Sequence, residues 1–154
     1  MDEVKVNQGP VQYIKVQLDK ELYGVDIDII DNIVRPQNVT RVPNVPEYIK
    51  GVINIRGEIV PIMSIRLKMD LPEDEITKNT RFIIIKTEQY GKIGMIVDCV
   101  KEVITLESSD IEPINHSSKD AGVQYVTAVG KTGDTLVSLL DINAVLLDKN
   151  AKEE

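Results

Sequence analysis

The chain repeats one order of apolar runs and glycine turns in its two halves. The stretch from Tyr23, YGVDIDIIDNIV, resembles the stretch from Ile93, IGMIVDCVKEVI. The stretch from Val52, VINIRGEIVPIMSI, resembles the stretch from Ala128, AVGKTGDTLVSLLDI. Such a repeat indicates two copies of one supersecondary unit. Because a unit of about 70 residues buries only a small core by itself, we expect the copies to pack together and leave a seam.

The local pattern of both copies predicts strands. Apolar and polar residues alternate over Val11–Leu18, and apolar runs flank Arg56 and Gly57 as in a hairpin. Residues 81–86, RFIIIK, form a nearly continuous apolar run that suits a buried strand. The apolar content of 42% includes only 4% aromatics, so β-branched and aliphatic side chains fill the core. The sequence therefore predicts an all-β fold with two packed lobes.

Two short helices and a linker complete this prediction. Ile27, Ile30 and Ile33 fall at helical spacing after Asp26, which predicts a first helix. Residues 141–147, DINAVLL, predict a second. The polar stretch 71–79 predicts a linker or mobile loop. We therefore place the first lobe at 10–74 and the second at 79–147, with tails at 1–9 and 148–154, and allow for a strand exchanged between the lobes.

Charge and composition narrow the choice of partner. The formal net charge is −7 and no block of Lys and Arg exists, which disfavours nucleic acid and an anionic membrane surface. No apolar run approaches the roughly 20 residues that span a bilayer, and the first ten residues lack the apolar stretch of a secretory signal. We expect a cytoplasmic protein whose partners are other proteins. The single cysteine, Cys99, lies in an apolar stretch that predicts a buried thiol.

No group of residues suggests catalysis, a cofactor or a metal. The one histidine, His116, lies in the polar segment NHSSKD, where sequence neighbours do not converge as a triad does. No CxxC or HxxxH spacing offers a zinc site. Gly130, Lys131 and Thr132 match the end of a phosphate-binding loop, but Tyr125 stands where its first glycine is required. This segment predicts a hairpin tip, and the chain is expected not to be an enzyme.

The sequence resembles the CheW-type coupling proteins of bacterial chemotaxis over almost its whole length. Residues 39–69 carry the likeness, above all the pattern ΦKGVxNxRGxΦΦP at residues 49–61, where Φ is apolar. The runs IGMIVDCVKEVITL from Ile93 and YVTAVGKTGDTLVSLLDINAVL from Tyr125 resemble the second half of the family. The resemblance implies two SH3-like five-stranded β-barrels packed together, a cytoplasmic location and no catalytic activity or cofactor.

The resemblance also implies the partners and the mechanism. Members of the family link the cytoplasmic tip of chemoreceptors, the methyl-accepting chemotaxis proteins, to the regulatory domain of the histidine kinase CheA. They seat a receptor helix in the groove between the barrels and dock barrel ends against like barrels of the kinase. The same fold could alternatively serve another chemosensory-like kinase pathway. A small-ligand-binding β-barrel is a further alternative, which requires a closed pocket with convergent polar groups.

Site residues follow from the resemblance position by position. Receptor binding is assigned to Asn54 and Arg56 of the NIRG motif and to the three isoleucines of the first predicted helix, Ile27, Ile30 and Ile33. For Arg56 the competing interpretation is that it only caps a hairpin, and for the isoleucines that they are ordinary core.

Kinase binding is assigned to Gly51, Gly57 and Gly94, for which the competing interpretation is that they only permit turns or bulges. Three departures from the family pattern, Asn32, Ser64 and Arg81, put the charge pattern of the interfaces in question.

Overall fold

The computed structural model describes residues 9–114 and 125–146, which form two sheets with short helical segments. The strands are β1 (Val11–Leu18), β2 (Glu21–Asp26), β3 (Ile30–Val34), β4 (Ile49–Ile55), β5 (Glu58–Ser64), β6 (Arg81–Thr87), β7 (Gly91–Val97), β8 (Cys99–Leu106), β9 (Ile111–Pro113), β10 (Val126–Thr132) and β11 (Thr135–Leu140). The helices are α1 (Ile65–Lys68) and α2 (Ile142–Leu146), with 3-10 turns at Ile27–Ile29 and Ser108–Asp110. The all-β prediction is confirmed.

Each sheet combines strands from both halves of the sequence. The six-stranded sheet has the order β8-β1-β2-β11-β10-β9, and the five-stranded sheet has the order β3-β6-β7-β5-β4. The hairpin β1-β2 of the first half therefore belongs to the sheet that the second half completes. The hairpin β6-β7 of the second half in turn belongs to the sheet of the first half. The lobe boundaries at 74 and 79 stay a prediction, but sheet membership does not follow them.

The two sheets have the same order once equivalent strands are matched. Strands β1, β2, β3, β4 and β5 correspond to β6, β7, β8, β10 and β11. Each sheet contains a single parallel pair among its described strands, β5 with β7 and β11 with β2. Thr40, six residues beyond β3, pairs with Val52 of β4 through two hydrogen bonds of 2.9 and 2.8 Å. This bridge pairs the segment that follows one edge strand, β3, with the other edge strand, β4, which partly closes the sheet towards a barrel.

Three apolar clusters show how the layers pack. One lies inside the five-stranded sheet around Phe82 and Ile84, and another lies inside the six-stranded sheet around Leu106 and Val137. The largest takes residues from both sheets, so it forms the contact between them. Strand β6 is buried on both faces because alternate residues point into two clusters, which explains its continuous apolar run.

The first predicted helix is wrong beyond one 3-10 turn. Ile27–Ile29 form that turn, whereas Ile30 and Ile33 belong to β3. A β-bulge between Ile30 and Asn32 places Ile30 opposite Ile85 and Ile33 opposite Ile83. Because a bulge sets two residues against one, a spacing of three keeps both isoleucines on one face of the strand. The spacing of these isoleucines therefore matched that of a helix although they lie in a bulged strand.

The second predicted helix and the predicted linker are present in the structure. α2 is the predicted second helix, and Asp141 caps it by accepting a 3.3 Å hydrogen bond from the Ala144 N–H. Helix α1 was not predicted. The 71–79 linker has no strand or helix, and it ends in a turn at residues 78 and 79. Cys99, the first residue of β8, is only half-buried, so the predicted buried thiol is met only in part.

Candidate protein-docking surface

The β4-β5 turn presents Arg56 to solvent. The two residues of the turn, Arg56 and Gly57, have φ angles of 52° and 85°, the signature of a type I′ hairpin turn. The Asn54 side chain accepts a 3.0 Å hydrogen bond from the Gly57 N–H and so holds the turn. Arg56 is exposed, and it has no ion pair within the described residues. Its guanidinium is therefore available to a partner.

An apolar side chain and a fixed ion network lie beside this turn. Ile59, two residues past Gly57, is 63% exposed. Lys92 contacts Glu58 at 2.8 Å and Asp31 of β3 at 3.5 Å. The hydrogen bond that Lys92 donates to Glu58 raises the pKa of Lys92, and Asp31 adds to the effect, so the lysine stays charged. Lys92 thereby joins the turn to strand β3.

The three isoleucines assigned to receptor binding, here called the β3 stripe, lie in or just before strand β3. Ile30 and Ile33 belong to the strand, and Ile27 belongs to the 3-10 turn that precedes it. Ile27, Ile30 and Ile33 are all half-buried and pack against the central cluster. Each therefore contributes to the core and keeps exposed surface, so neither competing interpretation excludes the other. Asp31, which lies between Ile30 and Ile33 in the sequence, pairs with Lys92 at 3.5 Å and so links β3 to the strands beside the Arg56 turn.

The second half carries an equivalent stripe that sequence reasoning missed. A register shift in the pairing of β1 with β8 places Val100 opposite Val16 and Val103 opposite Ile14, as the bulge in β3 does for Ile30 and Ile33. Val100 packs against the central cluster, and Val103 is 44% exposed. The alignment of IGMIVDCVKEVI with YGVDIDIIDNIV matches these valines to the isoleucines, and this was the available signal.

The three glycines assigned to kinase binding lie in different surroundings. A Cβ at Gly51 would lie 2.1 Å from the Thr40 carbonyl oxygen, so Gly51 permits the Thr40 bridge to β4. A Cβ at Gly94 would meet Ile62 and Ile84 inside the five-stranded sheet. Only Gly57 among them is exposed, with nothing within 4 Å of its Cβ position. The kinase-binding assignment stays a prediction, and two of its three residues have an internal packing role.

The three residues that depart from the family pattern, Asn32, Ser64 and Arg81, form hydrogen bonds within the chain. The Asn32 side chain accepts a 2.9 Å hydrogen bond from the Ile33 N–H at the β3 bulge. Ser64 is fully buried and caps α1. Arg81 donates to the carbonyl oxygens of Lys78 and Thr80, at 2.9 and 2.7 Å. Ser64 therefore changes the interior rather than the interface.

A charged cluster fixes α1 to the start of β8. Arg66 donates two hydrogen bonds to Asp98, of 3.0 and 2.7 Å, and a third to the Pro72 carbonyl. Burial raises the pKa of Asp98, but the hydrogen bonds from Arg66 and the Asp19 N–H outweigh it and lower the pKa overall. The same pairing raises the pKa of Arg66. This ion pair connects the two sequence halves.

The other residues that the sequence analysis considered for chemistry are Gly130, Lys131, Thr132 and His116. Gly130 and Lys131 lie in β10, and the turn that follows has Gly133 at a φ of 63°, so the segment is a hairpin tip as predicted. His116 lies outside the described residues. Within residues 9–114 and 125–146, no three His, Cys, Asp or Glu side chains could hold a metal. The helices of that same part are all too short to cross a bilayer.

Two side-chain-filled sheets, with half-buried isoleucines beside β3 and an exposed arginine turn, define a two-sheet β domain. The chain belongs to the CheW-like family, because the CheW-like domain model matches residues 12–150. It is 39% identical over 156 residues to the chemotaxis protein CheW of Bacillus subtilis, covering 98% of this chain and 94% of that protein.

Two further comparisons agree with this membership. The chemotaxis protein CheW of Helicobacter pylori is 33% identical over 141 residues, covering 91% of this chain and 84% of that protein. The crystal structure of the scaffolding protein TtCheW from Thermoanaerobacter tengcongensis matches with a TM-score of 0.82 and 30% identity, covering 91% of this chain and 94% of that one. The two-sheet fold and the family resemblance are both confirmed.

Proposed function

We propose that this protein is a non-enzymatic, cytoplasmic adaptor that couples chemoreceptors to the histidine kinase CheA. Its relatives are chemotaxis proteins, and its structural neighbour is a scaffolding protein. The proposed partners are the cytoplasmic tip of methyl-accepting chemotaxis proteins and the regulatory domain of CheA. Neither nucleic acid nor direct membrane contact is part of the proposal.

The exposed Arg56 turn, which Lys92 links to the strand of the half-buried isoleucines, is the observation that carries this proposal. Arginine beside exposed isoleucine suits a protein interface, because the guanidinium offers several donors and the isoleucines offer apolar area. An amphipathic receptor helix would place its apolar side on the half-buried stripe of Ile27, Ile30 and Ile33. The charges at Arg56 and Lys92 would then select the register of that helix.

Kinase docking is proposed at the end of the five-stranded sheet around Gly57. A glycine at an exposed turn lets a partner's backbone approach closely, since no side chain stands between them. Gly51 and Gly94 support this region indirectly, because they allow the strands beneath it to pack.

The ligand-binding alternative finds less support. Among the described residues, aliphatic and aromatic side chains fill the interiors of both sheets, where a ligand-carrying barrel has an open lumen. An adaptor for another chemosensory-like kinase pathway has the same physical basis as the proposal. Affinity for CheA rather than for a second kinase distinguishes the two.

Isothermal titration with purified partners tests the proposed function. We expect the protein to bind an isolated CheA regulatory domain and, separately, a soluble receptor fragment that contains the signalling tip. In a separate assay with full-length CheA, addition of the protein together with the receptor fragment should raise the kinase activity above that of CheA with the protein alone or with the receptor fragment alone. Absence of heat with both partners would remove the assignment.

A further inference from the structure

Lys68 is a fully buried cation at the junction of the two halves. Its exposed fraction is 0%, although lysine is among the residue types that proteins bury least. Its ammonium group lies 4.4 Å from the centre of the Tyr48 ring and 5.8 Å from that of Tyr125. It also donates a hydrogen bond to the Val145 carbonyl of α2. In addition, the Tyr125 hydroxyl donates to the Lys68 carbonyl at 3.3 Å.

These contacts join residues that are equivalent in the two copies. Tyr48 precedes β4 and Tyr125 precedes β10. The Tyr48 carbonyl accepts from the Ser64 N–H at 2.7 Å, and the Tyr125 carbonyl accepts from the Asp141 N–H at 2.7 Å. Ser64 and Asp141 in turn cap α1 and α2. The two tyrosines are therefore symmetry-related positions of the internal repeat.

Lys68 lies in α1, where it contacts the equivalent helix α2 of the other copy. Lys68 lies four positions after Ser64, and Val145 lies four positions after Asp141, so Val145 is the equivalent of Lys68. The Lys68 ammonium bonds the carbonyl of its own equivalent and contacts both equivalent tyrosines. The other copy carries a valine at this position.

The energetic reason for a lysine here differs from that for an apolar residue. Burial of an ammonium group opposes folding, and a methionine would fill a similar volume without that cost. The apolar central cluster already holds the sheets together, but apolar contact is non-directional. A cation between two ring faces and a carbonyl is directional, and buried polar groups can specify one arrangement among several packings.

We propose that Lys68 is a positioning residue that fixes the five-stranded sheet at one orientation relative to the six-stranded sheet. A fixed orientation holds the β3 stripe and the Arg56 turn at a constant position relative to the second half. Partners that contact different parts of the adaptor are then held at a constant distance. The consequence for kinase control rests on the proposed function, whereas the orientation itself does not.

Distance measurement between the halves tests the orientation. Spin labels are attached at Ile59→Cys and Leu136→Cys, which are 63% and 61% exposed and follow equivalent turns, in a Cys99→Ser background. We expect one narrow distance peak for the parent and loss of that narrow peak for Lys68→Met. The control is Ile84→Ala, which weakens the inner core of the five-stranded sheet without touching the junction.

The outcomes separate positioning from general stability. A narrow, unshifted peak in Lys68→Met overturns the proposal even if the melting temperature falls, and so does equal broadening in Ile84→Ala. If Lys68→Met does not fold, Tyr48→Leu replaces it, because Tyr48 is the nearer ring. An unchanged peak in that variant also overturns the proposal.

A second readout addresses kinase control with unlabelled protein. Lys68→Met is expected to keep parental affinities for the receptor fragment and for the CheA regulatory domain separately, yet to lose receptor-dependent control of kinase activity. Retained control overturns the functional part. If the parent protein binds neither partner, the proposed function fails, while the distance result still decides the orientation.

Discussion

Alanine at Gly51 is expected to destabilise the fold far more than alanine at Gly57. A Cβ at Gly51 would stand 2.1 Å from the Thr40 carbonyl oxygen, and the φ of Gly51 is 145°. The backbone strain is about 2 kcal/mol, and displacement of Thr40 would remove two hydrogen bonds worth about 1 kcal/mol each. The total of about 4 kcal/mol corresponds to a fall in melting temperature of about 8–16 °C for a chain of this size.

Gly57 supplies the matched control because its Cβ position is open and its φ is 85°. Gly57→Ala should cost only the strain of a left-handed residue, about 1 kcal/mol, or about 2–4 °C. Thermal unfolding followed by circular dichroism, with urea denaturation as a second measure, compares the two variants. A Gly51→Ala variant as stable as the parent, or one less perturbed than Gly57→Ala, would refute the packing role assigned to Gly51.

Two further predictions concern the polar groups around α1. Asp98→Asn should lower the stability at pH 7 by about 1.5–3 kcal/mol through loss of the charged hydrogen bonds from Arg66. Because the pKa of Asp98 is lowered on folding, its contribution exists above the unfolded pKa of about 3.9 and is lost as the pH falls. Parent and variant should therefore converge in acid urea titrations, and a constant difference down to pH 2 would contradict this. Ser64→Ala should lower the free energy of unfolding by about 1 kcal/mol, because it removes the side chain that accepts a hydrogen bond from the Leu67 N–H. Hydrogen exchange of the α1 amides should be faster in this variant, and unchanged exchange would count against the cap.

The strands and the hairpin turn at Arg56 were predictable because their signals are local. Alternation marks β1, the continuous apolar run marks β6, and an arginine-glycine pair between apolar runs marks the turn. The helix expected at Ile30 and Ile33 failed because a bulge changes the residue spacing of one face, and a sequence period does not distinguish a bulged strand from a helical turn.

The exchange of hairpins between the halves had no local signal. Hairpins β1-β2 and β6-β7 occupy equivalent places in the two sheets, so each carries a similar apolar pattern and fits either partner. Only long-range pairing, such as Ser138 with Tyr23 and Ile62 with Gly94, selects the observed arrangement. The buried position of Lys68 also had no signal in the sequence, because a lysine side chain normally reaches solvent.

Titration of the Arg56→Glu variant against the receptor fragment and the CheA regulatory domain tests the docking surface most directly. Because Arg56 is exposed, the substitution should change stability by under about 0.5 kcal/mol. The control is Lys131→Glu, which makes the same charge change at an exposed position of the equivalent hairpin. The account predicts that Arg56→Glu loses affinity for at least one partner. Lys131→Glu should keep the parental affinity for both partners, and both variants should keep the parental melting temperature. Full affinity for both partners in Arg56→Glu, or a collapse of its melting temperature, would contradict it.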